Sequence, residues 1–168
     1  MLVAAHVNGS DYNRYWGDLT GHYQTRPFQD QLVDTIINAG RAISDFFTAT
    51  AWQGAFTRHP GLRVMSVENR ADGVPGLLQL YRRFYRPGVI AEDPVEVFHR
   101  NVWITPHWHD PFDELALEAP VERWCAGSDW PHYDALADPT DFAKYLSSSL
   151  DDNQTQLVMR ENLRELLI

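Results

Sequence analysis

Apolar and polar positions along this chain fall into short runs whose period switches between two and about 3.6. Leu2–Val7 is an apolar run followed by Asn8 and Gly9, which reads as a buried strand entering a loop. A loop rich in Gly, Tyr and Trp extends from Ser10 to Pro27. Phe28, Leu32, Val33, Ile36 and Ile37 then recur at helical spacing, predicting a helix over Phe28–Ala39 that Gly40 ends. Ala42–Phe56 continues as a second helical stretch, closed by His59-Pro60-Gly61. Leu62–Val67 alternates apolar and polar residues and predicts a strand, with Glu68-Asn69-Arg70 at its C-terminal end. Val74–Tyr85 is a helix with Pro75 in its first turn, ended by Pro87-Gly88, and residues 89–94 form a loop. Asn101–Thr105 is the third strand, stopped by Pro106, and Val121–Cys125 is the fourth, although Glu122 and Arg123 interrupt it. Asp141–Leu146 and Gln154–Leu167 are helical, the latter with Leu157, Val158, Leu163, Leu166 and Leu167 on one face. Strands alternate with helices as in a parallel α/β architecture. Residues 1–168 show no internal repeat or domain boundary and read as one domain.

Composition narrows the function. The formal charge is −9, and from Glu92 to Asp141 only Arg100 and Arg123 oppose the acidic residues. Nucleic-acid binding needs clustered cations, so that class is disfavoured; Arg82-Arg83-Arg86 reads as a solvated helix face. No apolar stretch approaches a membrane span, and the first residues lack the basic segment of a secretory leader, so a cytoplasmic protein is expected. Cys125 is the only cysteine, which leaves no disulfide framework and no cysteine-based zinc ribbon within one chain.

The chemistry-bearing residues lie just past predicted strand ends, where parallel α/β folds gather their sites. Asp129 stands in Cys125-Ala-Gly-Ser-Asp-Trp-Pro-His132, where Gly127 and Ser128 are expected to turn the chain and Pro131 keeps Trp130 out of a helix. His6 follows the first strand. An imidazole and a carboxylate are ordinary ligands for a divalent cation, although a lone histidine near a terminus is more often structural or exposed. Glu68 could act as a base or hold a substrate amine, or simply pair with Arg63 or Arg70. His107 and His109 form a His-x-His, but Pro106 has ended the strand before them, so a loop pair near a pocket mouth is expected rather than a chelate. Trp103, Trp108 and Trp130 could line an aromatic pocket or serve packing. There is no phosphate-binding glycine loop and no nucleophile elbow.

Three segments occur in a telling order: Arg58-His-Pro-Gly-Leu-Arg-Val64, Gly127-Ser-Asp-Trp-Pro-His132, and Arg160-Glu-Asn-Leu-Arg-Glu-Leu-Leu167. Together they resemble the C-terminal part of the amidohydrolase-related family, in the branch of aminocarboxymuconate-semialdehyde decarboxylase-like enzymes, over essentially the whole chain. The resemblance implies a metal-dependent hydrolase acting on a small organic acid, amide or ester, or a non-oxidative decarboxylase, built on a (β/α)8 barrel. It implies that Asp129 is a metal ligand that also moves a proton, and that His6 is the metal-binding histidine of the fifth barrel strand. The divalent metal would be zinc, with manganese as second choice. Glu68 would take a catalytic place where many members carry histidine, and Trp108, Trp130 and His132 would bind substrate.

A start at the fifth strand also accounts for the four strands: the chain reads as the C-terminal half of the barrel. The family's first-strand His-x-His pair has no counterpart here, so weak metal affinity is expected of the chain by itself. A half-barrel leaves two sheet edges and an apolar inner face uncovered. The expectation is therefore a reading frame truncated at its N-terminus, or a homo-oligomer, or pairing with a complementing N-terminal half. A catalytically inactive half-barrel acting through a partner chain is the alternative.

Overall fold

The computed structural model describes residues 1–6, 40–132 and 135–168. The predicted helix Phe28–Ala39 and the loop before it lie outside the described residues, as does Val7. Three strands form one parallel sheet in the order β1 (Leu2–His6), β2 (Arg63–Val67), β3 (Val102–Ile104). Leu2 to His6 register with Arg63 to Val67, and Val64 to Ser66 register with Val102 to Ile104. Successive side chains of a strand point to opposite faces, so the register sorts them. Val64, Val102 and Ile104 enter the large core beneath the helices, while Met65 and Trp103 face a second, smaller cluster with Cys125 and Leu166. The fold class matches the sequence reading: α/β, with a parallel sheet and helices.

The helices pack on the first of these faces. α1 (Arg41–Trp52) and α2 (Ala55–Arg58) were expected as one stretch. Gly54, at φ 67°, turns left-handed between them, a conformation that costs glycine little and breaks the helical run. α1 buries Ile43 and Phe47, and Phe47 meets Phe98 edge-on with centroids 5.3 Å apart. α3 (Val74–Phe84) buries Val74, Leu78 and Tyr81.

Two helices were missing from the sequence reading. α4 (Pro94–Asn101) begins on Asp93, whose carboxylate accepts the Val95 N–H at 2.8 Å, with Pro94 at the first position. That Asp-Pro pair is a helix-start signal available in the sequence. α5 (Phe112–Glu118) buries Phe112 and Leu115.

The fourth strand is reduced to a bridge. Val121–Arg123 forms a short 3-10 turn, after which Trp124 pairs with Ile104 and the Cys125 N–H donates to the Ile104 carbonyl at 2.9 Å. The cause lies in the C-terminal helix. Asn162, almost fully buried, donates through Nδ2 to the carbonyls of both Val121 and Trp124, each at 2.8 Å. Carbonyls that a longer strand would offer to a neighbour are already occupied.

That helix follows α6 (Phe142–Leu146) and runs without interruption through α7 (Asp152–Gln156), a wide π turn over Leu157–Glu161, and α8 (Asn162–Leu166). Asp151 and Gln154 close a capping box at its start. At the π turn the Val158 carbonyl accepts the Ala126 N–H at 2.9 Å, three residues before Asp129. The helix therefore anchors the chain at three points just before Asp129. Among the described residues, no helix is long and apolar enough to cross a membrane.

Candidate active site

His6, Glu68 and Asp129 project from the C-terminal end of the sheet. β1 ends on His6, β2 delivers Glu68, and the segment after the Trp124 bridge delivers Asp129 and His132. His6 Nε2 lies 2.9 Å from Glu68 Oε2, and His132 Nδ1 lies 2.8 Å from Asp129 Oδ1. Glu68, Asp129 and His132 each present one ligand atom within 4.8 Å of the others. The two carboxylates sit inward, with side chains 29% and 24% exposed, and the two imidazoles face out at 58% and 67%. The structure thus brings together four residues singled out in the sequence. Glu68 meets His6 and Asp129, not the arginines that the alternative reading offered.

The backbone holds both carboxylates in an uncommon conformation. Glu68, Arg70 and Asp129 have φ of 57°, 60° and 49°, the positive-φ non-glycine residues among those described. For an ordinary L-residue this region costs on the order of 1–2 kcal/mol, which the surroundings must offset. At Glu68 the offset is visible: the Thr105 hydroxyl accepts the Glu68 N–H at 3.1 Å and donates to the Ser66 carbonyl at 3.0 Å. At Asp129 the turn is closed by the His132 N–H on the Asp129 carbonyl at 2.9 Å, while the Trp130 N–H reaches the Ser128 hydroxyl. The left-handed position therefore falls on Asp129 itself, whereas Gly127 is not a left-handed glycine.

Burial and the facing Asp129 charge push the Glu68 carboxyl above the ordinary carboxylate range. The nearby His6 opposes that shift, and a hydrogen bond between the two carboxyls adds to it. Two acids facing each other are held most comfortably by a shared proton or a cation. Two carboxylates and an imidazole at this spacing are a donor set suited to a divalent metal, so the residues present fit the group that the sequence resemblance implies.

The tryptophans occupy different places. Trp130 is 62% exposed beside Asp129, available as a wall of the site. Trp108 stacks near His109 and Tyr145 (centroids 3.3 and 5.4 Å away) and lines a cavity of about 300 Å³ with Asp110, Asp113 and Ser148. Trp103 is buried under the Arg123 guanidinium, 4.4 Å from its ring, as a packing residue. His107 and His109 stand in the loop after β3, their rings 5.4 Å apart. Burial raises the Cys125 thiol to about 12, which leaves it neither nucleophile nor ligand.

Sequence reasoning missed the residues that brace the site. Thr105, Asn69 and Asp110 are buried polar side chains at the same end of the sheet. Their signal was their position just past β2 and β3, where a polar residue that is not a ligand needs another reason to be there.

A parallel sheet with a polar cluster at its C-terminal end is the place where α/β folds gather their sites. No family model matches the sequence, and no curated protein matches it significantly. Solved structures do. An amidohydrolase from Mycobacterium avium subsp. paratuberculosis K-10 shares 32% identity over the whole chain and 42% of its own length, with a TM-score of 0.87. A dihydroxybenzoic acid decarboxylase from Polaromonas sp. JS666, solved with manganese and the inhibitor 2-nitroresorcinol, shares 15% identity over 92% of this chain and 53% of its own, with a TM-score of 0.61. A 2,6-dihydroxybenzoate decarboxylase in complex with 2,6-dihydroxybenzoate shares 16% over 92% and 54%, with a TM-score of 0.63. The structural relatives of this chain are amidohydrolase-family proteins, decarboxylases among them, and the likeness covers its whole length. The chain spans about half the length of these relatives, or less.

Proposed function

We propose that this chain carries one half of a metal-dependent active site of the amidohydrolase type, acting on a small organic acid, amide or ester by hydrolysis or non-oxidative decarboxylation. The observation that carries the reading is the convergence of Glu68, Asp129 and His132 within 4.8 Å, with His6 on Glu68. Asp129, Glu68 and His132 would hold a zinc or manganese ion, with His6 adjoining through Glu68. A bound cation of this kind polarises a substrate oxygen and lowers the pKa of water. The residues of the chain do the rest. Glu68 and Asp129 would present their carboxylates to the cation, and His132 is placed to orient the Asp129 carboxylate through Nδ1. Trp130 and Trp108 would bound the substrate.

The rest of the barrel would complete the site, in the same polypeptide, in a second copy or in a complementing half. We place the protein in the cytoplasm. The alternative reading is a catalytically inactive half-barrel that acts through association with a partner chain.

Manganese and zinc titrations of the 168-residue chain test the proposal, together with carbon dioxide release from 2,6-dihydroxybenzoate and hydrolysis of simple esters and amides. Saturable one-to-one metal binding that Asp129→Asn weakens is expected, with metal-dependent turnover in the completed barrel. Metal binding indifferent to both Asp129→Asn and Glu68→Gln would overturn it.

A further inference from the structure

Three asparagines are buried among the described residues, and each uses Nδ2 to grip two backbone carbonyls. Asn101 takes Pro60 and Leu62 at 3.0 and 2.6 Å, before β2 begins. Asn162 takes Val121 and Trp124. Asn69 takes Ala5 and Val67 at 2.8 and 2.9 Å, at the opposite end of the sheet from Asn101. Only the amide nitrogen can donate to two carbonyls, so the orientation of each carboxamide is fixed by chemistry.

The two carbonyls held by Asn69 belong to the peptides that lead directly into His6 and Glu68. These residues stand on adjacent strands, with His6 in register with Val67. One carboxamide therefore spans the two peptides that aim the imidazole and the carboxylate at each other. The Val67–Glu68 peptide is held at both ends: its carbonyl by Asn69, its N–H by Thr105. A residue in a left-handed conformation immediately after that peptide needs such a clamp, since its backbone otherwise relaxes to negative φ.

We infer that Asn69 is a positioning residue of the site: its bridge between the Ala5 and Val67 carbonyls sets the His6–Glu68 contact and so the placing of Glu68 toward Asp129. The inference rests on the metal-site reading only for its effect on metal affinity; the effect on the His6–Glu68 contact is independent of it. Asn101 is the built-in control, having the same chemistry at the far end of β2.

The test compares Asn69→Ala, Asn69→Asp and Asn101→Ala in the 168-residue chain by manganese titration and by the ¹⁵N resonances of the His6 imidazole. Asn69→Asp keeps the shape and abolishes the donor; Asn69→Ser, which retains one hydroxyl donor, serves where the other substitutions do not fold. Outer partners that orient metal ligands are worth about 10–100-fold in metal affinity. Asn69→Ala and Asn69→Asp are expected to weaken manganese binding about tenfold and to shift the His6 imidazole signals, with Asn69→Ser intermediate. Asn101→Ala should lower the melting temperature and leave both readouts at wild-type values. Unchanged His6 signals in Asn69→Asp, or an equal loss of metal affinity in Asn101→Ala, would overturn the inference. A wild-type chain that binds no manganese would instead defeat the metal reading, and the His6 signals alone would then decide the role of Asn69.

Discussion

Two kinds of carboxylate stand past the strand ends of this sheet, and they are held in opposite ways. Asp110 is buried and accepts two backbone N–H groups through one oxygen, Ala71 and His107, each at 2.7 Å. It ties the loop after β2 to the loop after β3. Glu68 and Asp129 face each other and two imidazoles, and their own backbones are left-handed. Burial raises both Asp110 and Glu68, but backbone donors offset the shift at Asp110, whereas at Glu68 a second acid adds to it. An acid surrounded by peptide N–H groups is braced for structure. An acid facing another acid is poised to take a proton or a cation.

The contrast breaks most sharply through metal binding. Asp129→Asn should weaken manganese affinity by about 100-fold or more while leaving thermal stability near wild type, because in the proposed site it removes a ligand and no brace. Asp110→Ala should do the reverse. It strands the buried Ala71 N–H and the half-buried His107 N–H at roughly 1–3 kcal/mol each, a loss of about 3 kcal/mol in urea unfolding with metal affinity little changed. Asp110→Asn sharpens the comparison further, since one amide oxygen can accept both bonds. Because the Asp110 pKa is raised in the folded chain, the native state holds its proton more tightly than the unfolded one. Its contribution to stability is then complete below the ordinary carboxylate value and declines as pH rises through the raised one. The asparagine variant should gain on wild type across that window, by less than the alanine variant loses; melting curves from pH 3 to 7 read this directly. The smallest effect is expected at Gly127→Ala. Its added methyl would meet Thr105 Cβ at 3.5 Å, an ordinary contact, so the stability change should stay below about 0.5 kcal/mol.

Much of this was legible from residue order. The apolar runs Leu2–Val7, Leu62–Val67 and Asn101–Thr105, bounded by polar or proline positions, lie within one residue of the described strands at each end, and the Gly-Ser-Asp-Trp-Pro-His segment drew attention to Asp129. His6, Glu68, Asp129 and His132 all stand out in the sequence as polar residues at or just past strand ends. The bracing was not legible. Whether Asn69 grips carbonyls depends on the register of two strands 61 residues apart in sequence, which no local pattern encodes. The left-handed turns at Glu68 and Asp129 were hidden as well, since neither is a glycine; at Glu68 the partner is Thr105 on another strand's end, and at Asp129 the turn's own hydrogen bonds close it. The fourth strand misled because Val121–Cys125 has strand composition, yet Asn162 claims its carbonyls from the far end of the chain.

The π turn over Leu157–Glu161 has a consequence for how this chain can change. An α-helix advances about 100° per residue, so a wide turn is in effect one residue inserted into the winding. Upstream of it Gln154 serves the capping box; downstream Asn162 and Leu166 must still face Val121 and Trp103. Deleting a single residue within the turn would therefore restore ordinary winding with Asn162 and Leu166 still facing their targets, whereas the same deletion between Asn162 and Leu166 would turn Leu166 by about 100° away from Trp103. Substitutions on the outer face of that helix leave the phase intact, and so does loss of the one residue that the wide turn absorbs. Residue spacing, as much as residue identity, is what the C-terminal helix encodes.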